Sequence, residues 1–173
     1  IRTALDNLKA RLGIDMALMV GVDGRVIAAG DRLAALDPAT VTALQADDVA
    51  SGVVVVGGEP YEAVTVPVRA PTDMGWVVFA TKLDDRQMRS LEALAAVPLN
   101  ARVLYRAGPG AWTDGARRSP ASAFIETTLA TGRSGAGDVP SMAGGAMTLV
   151  KPLSMIDSRQ PVVLLLQYPI SRA

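Results

Sequence analysis

Residues 64–85, VTVPVRAPTDMGWVVFATKLDD, read as two strands and a turn: an apolar run, a break at Pro71-Thr72-Asp73-Met74, a second apolar run and a charged stop at Asp84-Asp85. Valine, threonine and aromatic residues suit a pleated, half-buried surface, and the Pro-Thr-Asp cluster between them is turn chemistry. Residues 148–170, TLVKPLSMIDSRQPVVLLLQYPI, repeat the outline in other letters: a strand ending near Leu153, the loop MIDSRQ and a last strand. Laid over each other, the halves place Met19 on Leu104, Pro67 on Pro152 and Val77-Val78 on Val162-Val163, each 85 residues apart, and Pro38-Ala39 on Pro120-Ala121 at 82. A steady offset of this kind is the signature of tandem copies of one unit.

On the N-terminal side, Ile1, Leu5, Leu8 and Leu12 recur at helical spacing, and Gly13 stands where a helix C-cap is expected. Residues 15–21 and 25–30 flank Asp23-Gly24, a favoured type I′ pair, which predicts an antiparallel hairpin. Asp37 is the expected N-cap, and Pro38 the first-turn residue, of a helix running to about Val49. Residues 52–70 then give a strand, a Gly57-Gly58 turn and a longer strand, with GWVVFATKL the third. Asp84 or Asp85 caps a helix that carries Met88, Leu91 and Leu94 on one face and stops at Pro98. From residue 100 the order restarts: NARVLYR as a strand, AWT as a short return, a helix opened by Ser119-Pro120, and a strand introduced by Gly144-Gly145. GRSGAG (132–137) and SMAGGA (141–146) read as loops with few polar anchors. The expected division is 1–98, an N-terminal helix with a first unit and a connecting helix, and 99–173, a second unit.

Half of the 173 residues are hydrophobic, enough for a real core, and 17 basic residues balance 17 acidic ones. A neutral balance offers no electrostatic footprint for nucleic acid. Cysteine and histidine are both absent, which removes thiolate and imidazole chemistry and the usual zinc and haem ligands. Ser51 and Ser134 stand in no nucleophile-elbow pattern, and the Gly-rich runs lack both the dinucleotide fingerprint and the P-loop lysine. No catalytic residue, metal or cofactor is expected. Asp47-Asp48 and Asp84-Asp85 read as capping acids rather than cation ligands. Beginning at Ile1, the chain reads as an excised soluble piece, and no apolar run approaches the roughly 20 residues of a membrane helix.

The order helix, strand, strand, helix, three strands, written twice, resembles the PAS-like units of a double Cache sensor domain. The stretches that carry the resemblance are ALMVGVDGRVIAAG (17–30), PYEAVTVPVRAPTDMGWVVFATKLDD (60–85) and VVLLLQYPISRA (162–173). They are similar to extracytoplasmic sensors that precede GGDEF and EAL domains in bacterial cyclic-di-GMP enzymes. The resemblance implies an α+β fold of tandem PAS-like (profilin-like) units, each an antiparallel sheet of about five strands with flanking helices. It also implies a periplasmic, membrane-anchored receptor module without chemistry of its own, homodimeric when intact. The first helix would rise from the membrane, ISRA would lead back to it, and an unidentified small molecule would bind the first, membrane-distal unit. The alternative is an intracellular scaffold of the profilin-like or Roadblock type, which shares the strand order and binds proteins.

Alternation along 61–69 puts Tyr61, Ala63, Thr65, Pro67 and Arg69 on one face and Glu62, Val64, Val66 and Val68 on the other, the second set being the better core face. If loops and the helix from Pro38 cover the first set, Arg69 would meet an anion, Tyr61 and Thr65 would supply hydrogen bonds, and Trp76 would form an apolar wall. The plainer expectation is Arg69 as a solvated edge charge, Tyr61 as a rim residue and Trp76 as core.

Overall fold

Each half of the chain closes a five-stranded antiparallel sheet around its own core. The computed structural model describes residues 1–29, 36–46, 50–69, 71–131, 135–141 and 144–169. Asp47-Asp48, Ser134 and the ISRA end fall outside them. The compact units are Ile1–Lys82 with Ser154–Arg159, and Leu83–Leu153 with Gln160–Ala173.

In the first unit, α1 (Arg2–Leu12) ends at Gly13, whose φ of 63° lets its amide close on the Lys9 carbonyl. β1 (Met16–Gly21), β2 (Val26–Ala28), α2 (Pro38–Leu44), β3 (Ala50–Val56), β4 (Glu59–Arg69) and β5 (Asp73–Lys82) follow, and the strands lie in the order β2-β1-β5-β4-β3. The β1–β2 turn is not the expected type I′. Only Gly24 takes a positive φ, because the Asp23 carboxylate folds forward onto the Arg25 amide and keeps its own residue on the ordinary side. The Gly24 amide then donates to the Gly21 carbonyl at 2.9 Å, the three-residue hairpin with glycine at its left-handed position. Gly57 and Gly58 both take positive φ, as a tight β3–β4 turn requires.

The core face of β4 is opposite to the one its residues suggested. Tyr61, Ala63 and Thr65 are buried, whereas Val64 and Val66 are each 40% exposed. Both faces of this strand are apolar, so alternation alone does not choose between them. The Tyr61 side joins the cluster of Leu18, Val20, Val54 and Val78 that Leu44 of α2 covers. On the other side α1 packs over β1 and β2, and its Leu5 meets Ala17 and Met19.

The outer edge of β3 is occupied. The Val53 amide donates to the Ser154 carbonyl at 2.7 Å, and the Ile156 amide donates to the Val53 carbonyl at 3.0 Å, a parallel bridge centred on Met155. Gly52 permits the approach, since a Cβ there would stand 2.8 Å from the Ser154 oxygen.

The second unit consists of α3 (Asp85–Leu94), β6 (Asn100–Gly108), β7 (Ala111–Thr113), α4 (Ser122–Ala130), β8 (Gly135–Ser141), β9 (Gly144–Pro152) and β10 (Val162–Pro169). Its sheet order, β7-β6-β10-β9-β8, repeats that of the first. The repeat is real, but two matched pairs shift: Leu104 and Pro152 flank Val163 as Leu18 and Thr65 flank Val78, so Leu18 rather than Met19 is the counterpart of Leu104, and Thr65 rather than Pro67 that of Pro152. Residues 135–137 and 141, which fall in the two segments expected as loops, lie in β8 on β9, because an outer strand needs a ladder on one side only and tolerates glycine and proline there. α4 opens two residues later than Ser119-Pro120 suggested: the Ser119 hydroxyl accepts from the Ala121 amide at 3.2 Å, and the Ser122 hydroxyl donates back to the Ser119 carbonyl at 2.7 Å. α3, read as a connecting helix, packs on β6 and lies in the second unit. It buries Met88 but leaves Leu91 exposed and Leu94 86% exposed, so its packing face is not the leucine face.

Gly75 pairs with Gly21 at the end of β5 with φ near 138°, and a Cβ there would collide with the Val20 carbonyl. Gly75→Ala should lower stability by roughly 2–5 kcal/mol, combining backbone strain with overpacking. Urea denaturation checks this, and a midpoint equal to that of the parent chain contradicts it.

Candidate functional site

Tyr61, Thr65 and Trp76 lie on the covered face of the first sheet, Trp76 directly opposite Pro67 and two pairs beyond Thr65–Val78. Thr65 is fully enclosed, and its hydroxyl accepts from the Ala50 amide at 3.1 Å. The Tyr61 hydroxyl donates to Glu59 at 3.0 Å, and Lys82 reaches the other Glu59 oxygen at 2.6 Å. Arg69 is exposed at the far end of β4, where the register slips between Val68 and Arg69. At about 3.3 Å per residue, Tyr61 and Arg69 stand about 26 Å apart, too far for one small molecule to touch both. The structure therefore brings the half-buried Trp76 and Arg69 towards one end of the face, holds Tyr61 at the other and leaves Thr65 midway between them.

A second polar constellation in the first unit joins α2 to the segment 154–159. Asp37 caps α2, accepting from the Ala39 and Thr40 amides, each at 2.9 Å. Arg159 donates to Asp37 at 3.0 Å and also forms an ion pair with Asp157. Between the two carboxylates sits the buried Thr40 hydroxyl, 3.0 Å from Asp37 and 3.1 Å from Asp157; its single proton serves one of them at a time. The Thr40 amide, then Arg159, hold the Asp37 carboxyl down at about 2. Arg159 likewise lowers Asp157 against the upward push of burial, and the two carboxylates together raise Arg159. Asp37 was legible as a cap. Its partnership with Arg159 was not, because the two are 122 residues apart.

In the second unit, Trp112 is fully buried and donates from its indole to Glu126 at 2.7 Å, while Arg106 spans both Glu126 oxygens and lies 5.3 Å from the centre of the indole. At the other end of the same sheet face is a cleft of about 380 Å³. Its floor is Asn100 and Arg102 of β6 with Leu165 and Gln167 of β10. Asp85, Met88, Arg89 and Glu92, spaced as one helical face, form the α3 wall, and Ser119–Ala121 form the wall opposite. Glu92 caps the Ala101 amide at 2.7 Å, and Arg102 is paired with Asp114. Burial pushes the Asp114 carboxyl up, but the Arg117 amide and Arg102 bring it below its ordinary value. No sequence reading found this cleft: the two segments singled out in the second unit, 132–137 and 141–146, were expected to offer few polar anchors, and the described residues that line the cleft come from other stretches. The one available signal was the acid-base spacing of Asp85, Arg89 and Glu92 on a helix whose leucines fall elsewhere. Among the described residues no group of three or more His, Cys, Asp or Glu side chains is placed to hold a metal ion, and no helix is long and apolar enough to cross a membrane.

Asp157 is the buried carboxylate of the α2 network, and Asp157→Ala should cost roughly 1–3 kcal/mol, since it strips partners from Thr40 and Arg159. The pH dependence follows from the two depressed carboxyls. Their contribution is complete above their ordinary value of 3.8 and is lost as pH falls through the depressed values, which for Asp37 is about 2. Denaturation midpoints measured across this window should fall steeply for the parent chain and less steeply for Asp37→Asn; parallel curves would remove Asp37 from the account.

Residues 1–102 match the family model of the CHASE4 domain, which is more than half of the chain. Among solved structures, a methyl-accepting chemotaxis protein X is similar over 98% of this chain and 80% of its own, at 10% identity and a TM-score of 0.51, a likeness of fold. The ligand-binding domain of the Pseudomonas aeruginosa PAO1 amino acid chemoreceptor PctC, solved with GABA, matches over 96% of this chain and 78% of its own at 19% identity and a TM-score of 0.49. That of the Pseudomonas fluorescens chemoreceptor CtaA, solved with L-leucine, matches over 92% and 73% at 12% identity and a TM-score of 0.45. No curated protein sequence matches the chain. The family match takes in all of α1 to β5, the repeated sheet supplies the second unit, and the chain belongs to the CHASE4 domain family of sensor domains.

Proposed function

We propose that the chain is the extracytoplasmic, ligand-sensing part of a membrane-bound signalling receptor of the double Cache kind, and that its output is the synthesis or breakdown of cyclic-di-GMP. The observation that carries this reading is membership of a sensor-domain family in a chain that builds the same sheet twice. The ligand of the first unit sits at the Trp76 end of the covered sheet face: Trp76 is its apolar wall, Arg69 its cation at the rim and Thr65 part of the enclosed floor. Tyr61, held by Glu59 at the other end, is structural in this scheme.

Transmission needs a difference in affinity between two packings of the unit. α2 lies over the covered face, and Asp37 and Thr40 on it hold Arg159 and Asp157. The segment 154–159 continues directly into β9 on one side and β10 on the other. A ligand that prefers one position of α2 thereby biases the strands on either side of that segment. α1 leaves Ile1, Leu8 and Leu12 exposed, and this stripe pairs with its twin when two receptors meet.

The intact protein tests the reading at two points. Its gene should encode apolar segments of roughly 20 residues on both sides of this chain; their absence overturns the membrane receptor. Expression of the intact receptor should change cellular cyclic-di-GMP, and Trp76→Ala or Arg69→Ala should alter that change. Cyclic-di-GMP indifferent to the receptor and to both variants would overturn the output.

A further inference from the structure

The cleft of the second unit lies outside the site proposed above, and its chemistry is of a particular kind. Two guanidinium groups, Arg89 and Arg102, and two carboxylates, Asp85 and Glu92, line one volume of about 380 Å³, within the range of small-molecule pockets. Their commitments differ. Arg102 is neutralised by Asp114 but spends only part of its fork of donors there, and Glu92 spends one oxygen on the Ala101 amide. Among the described residues the side chains of Asp85 and Arg89 make no hydrogen bond or ion pair, although they stand four residues apart on α3, the spacing at which such side chains pair on a helix. Opposite charges are thus presented side by side to one cavity without cancelling each other.

We propose that this cleft is a second binding site, for a small zwitterion of the amino acid class. The carboxylate of the ligand lies on Arg89 and the free edge of Arg102, and its ammonium between Asp85 and Glu92, seven residues or about 10 Å apart along the helix. Met88 and Leu165, both buried, supply an apolar surface for a short side chain. The arrangement discriminates by repulsion as well as attraction. A dicarboxylate satisfies the guanidinium groups but faces both α3 carboxylates. A diamine satisfies the carboxylates but faces Arg89. Only a molecule with both charges meets every group with its opposite.

Calorimetric titration of the chain tests this with glycine, L-alanine, L-serine, L-leucine and β-alanine as zwitterions, succinate as dianion and putrescine as dication. At least one zwitterion should bind, and Arg89→Gln should weaken it by about tenfold or more, the usual loss of a charge-assisted hydrogen bond. Arg86→Gln, on the same helix outside the cleft, should leave the affinity unchanged, and a melting curve of each variant checks that the fold is intact. Binding by none of the five zwitterions, or tighter binding of succinate or putrescine, overturns the proposal. A zwitterion that binds Arg89→Gln as well as the parent chain sits elsewhere: it overturns the second site and leaves the sensor reading standing.

Discussion

The first unit depends on the main chain of one residue, Val53. An antiparallel sheet with two open edges leaves a row of unpaired amides and carbonyls on each side, and β3 is such an edge. Residues 154–156 pass close enough for Val53 to give its amide to Ser154 and take that of Ile156. A β-carbon at the neighbouring Gly52 would push them away. With the edge occupied, Asp157 and Arg159 arrive at α2 already placed, and the helix is tied down at its N-terminus by groups it cannot supply itself. α2 in turn decides which side of β4 becomes the core.

The second unit solves the corresponding problem with a side chain. Glu92 of α3 accepts the Ala101 amide of β6, beyond the reach of the three-residue β7. This contact seats α3 against the sheet end and opens the cleft between its polar face and the residues ahead of α4. Helix packing by a polar face explains why Leu91 and Leu94, the residues that looked most like a buried stripe, are exposed.

What could be read in the letters was local. The capping of α1 by Gly13 and of α2 by Asp37, the Gly57-Gly58 turn and the doubled strand order all follow from backbone geometry that a few adjacent residues fix. What escaped was settled at a distance. Val64 and Val66 are as apolar as Ala63 and Thr65, and only the position of α2 selects the inner set. β8 carries too much glycine for its propensity to declare it, and pairing with β9 makes it a strand. Tyr61 and Arg69 share a strand and a periodicity, but periodicity is blind to the length between them. The cleft combines α3, β6, β10 and the approach to α4, a convergence no single stretch announces.

The assignment of 154–159 to the first unit has a consequence for the order in which the protein is made. Domains emerging from the ribosome generally fold as they appear, the N-terminal one first. Here the first unit has all its strands once Lys82 is synthesised, yet its outer strand stays open and its second helix untied until Arg159 follows. Through that interval the Val53 edge is a bare template, accessible to chaperones and to any passing strand. Most of the second unit has been made by the time the first is closed, and only β10 remains to complete the other sheet. The two units are contiguous in neither synthesis nor completion, and the segment between β9 and β10 sets the moment at which the first becomes finished.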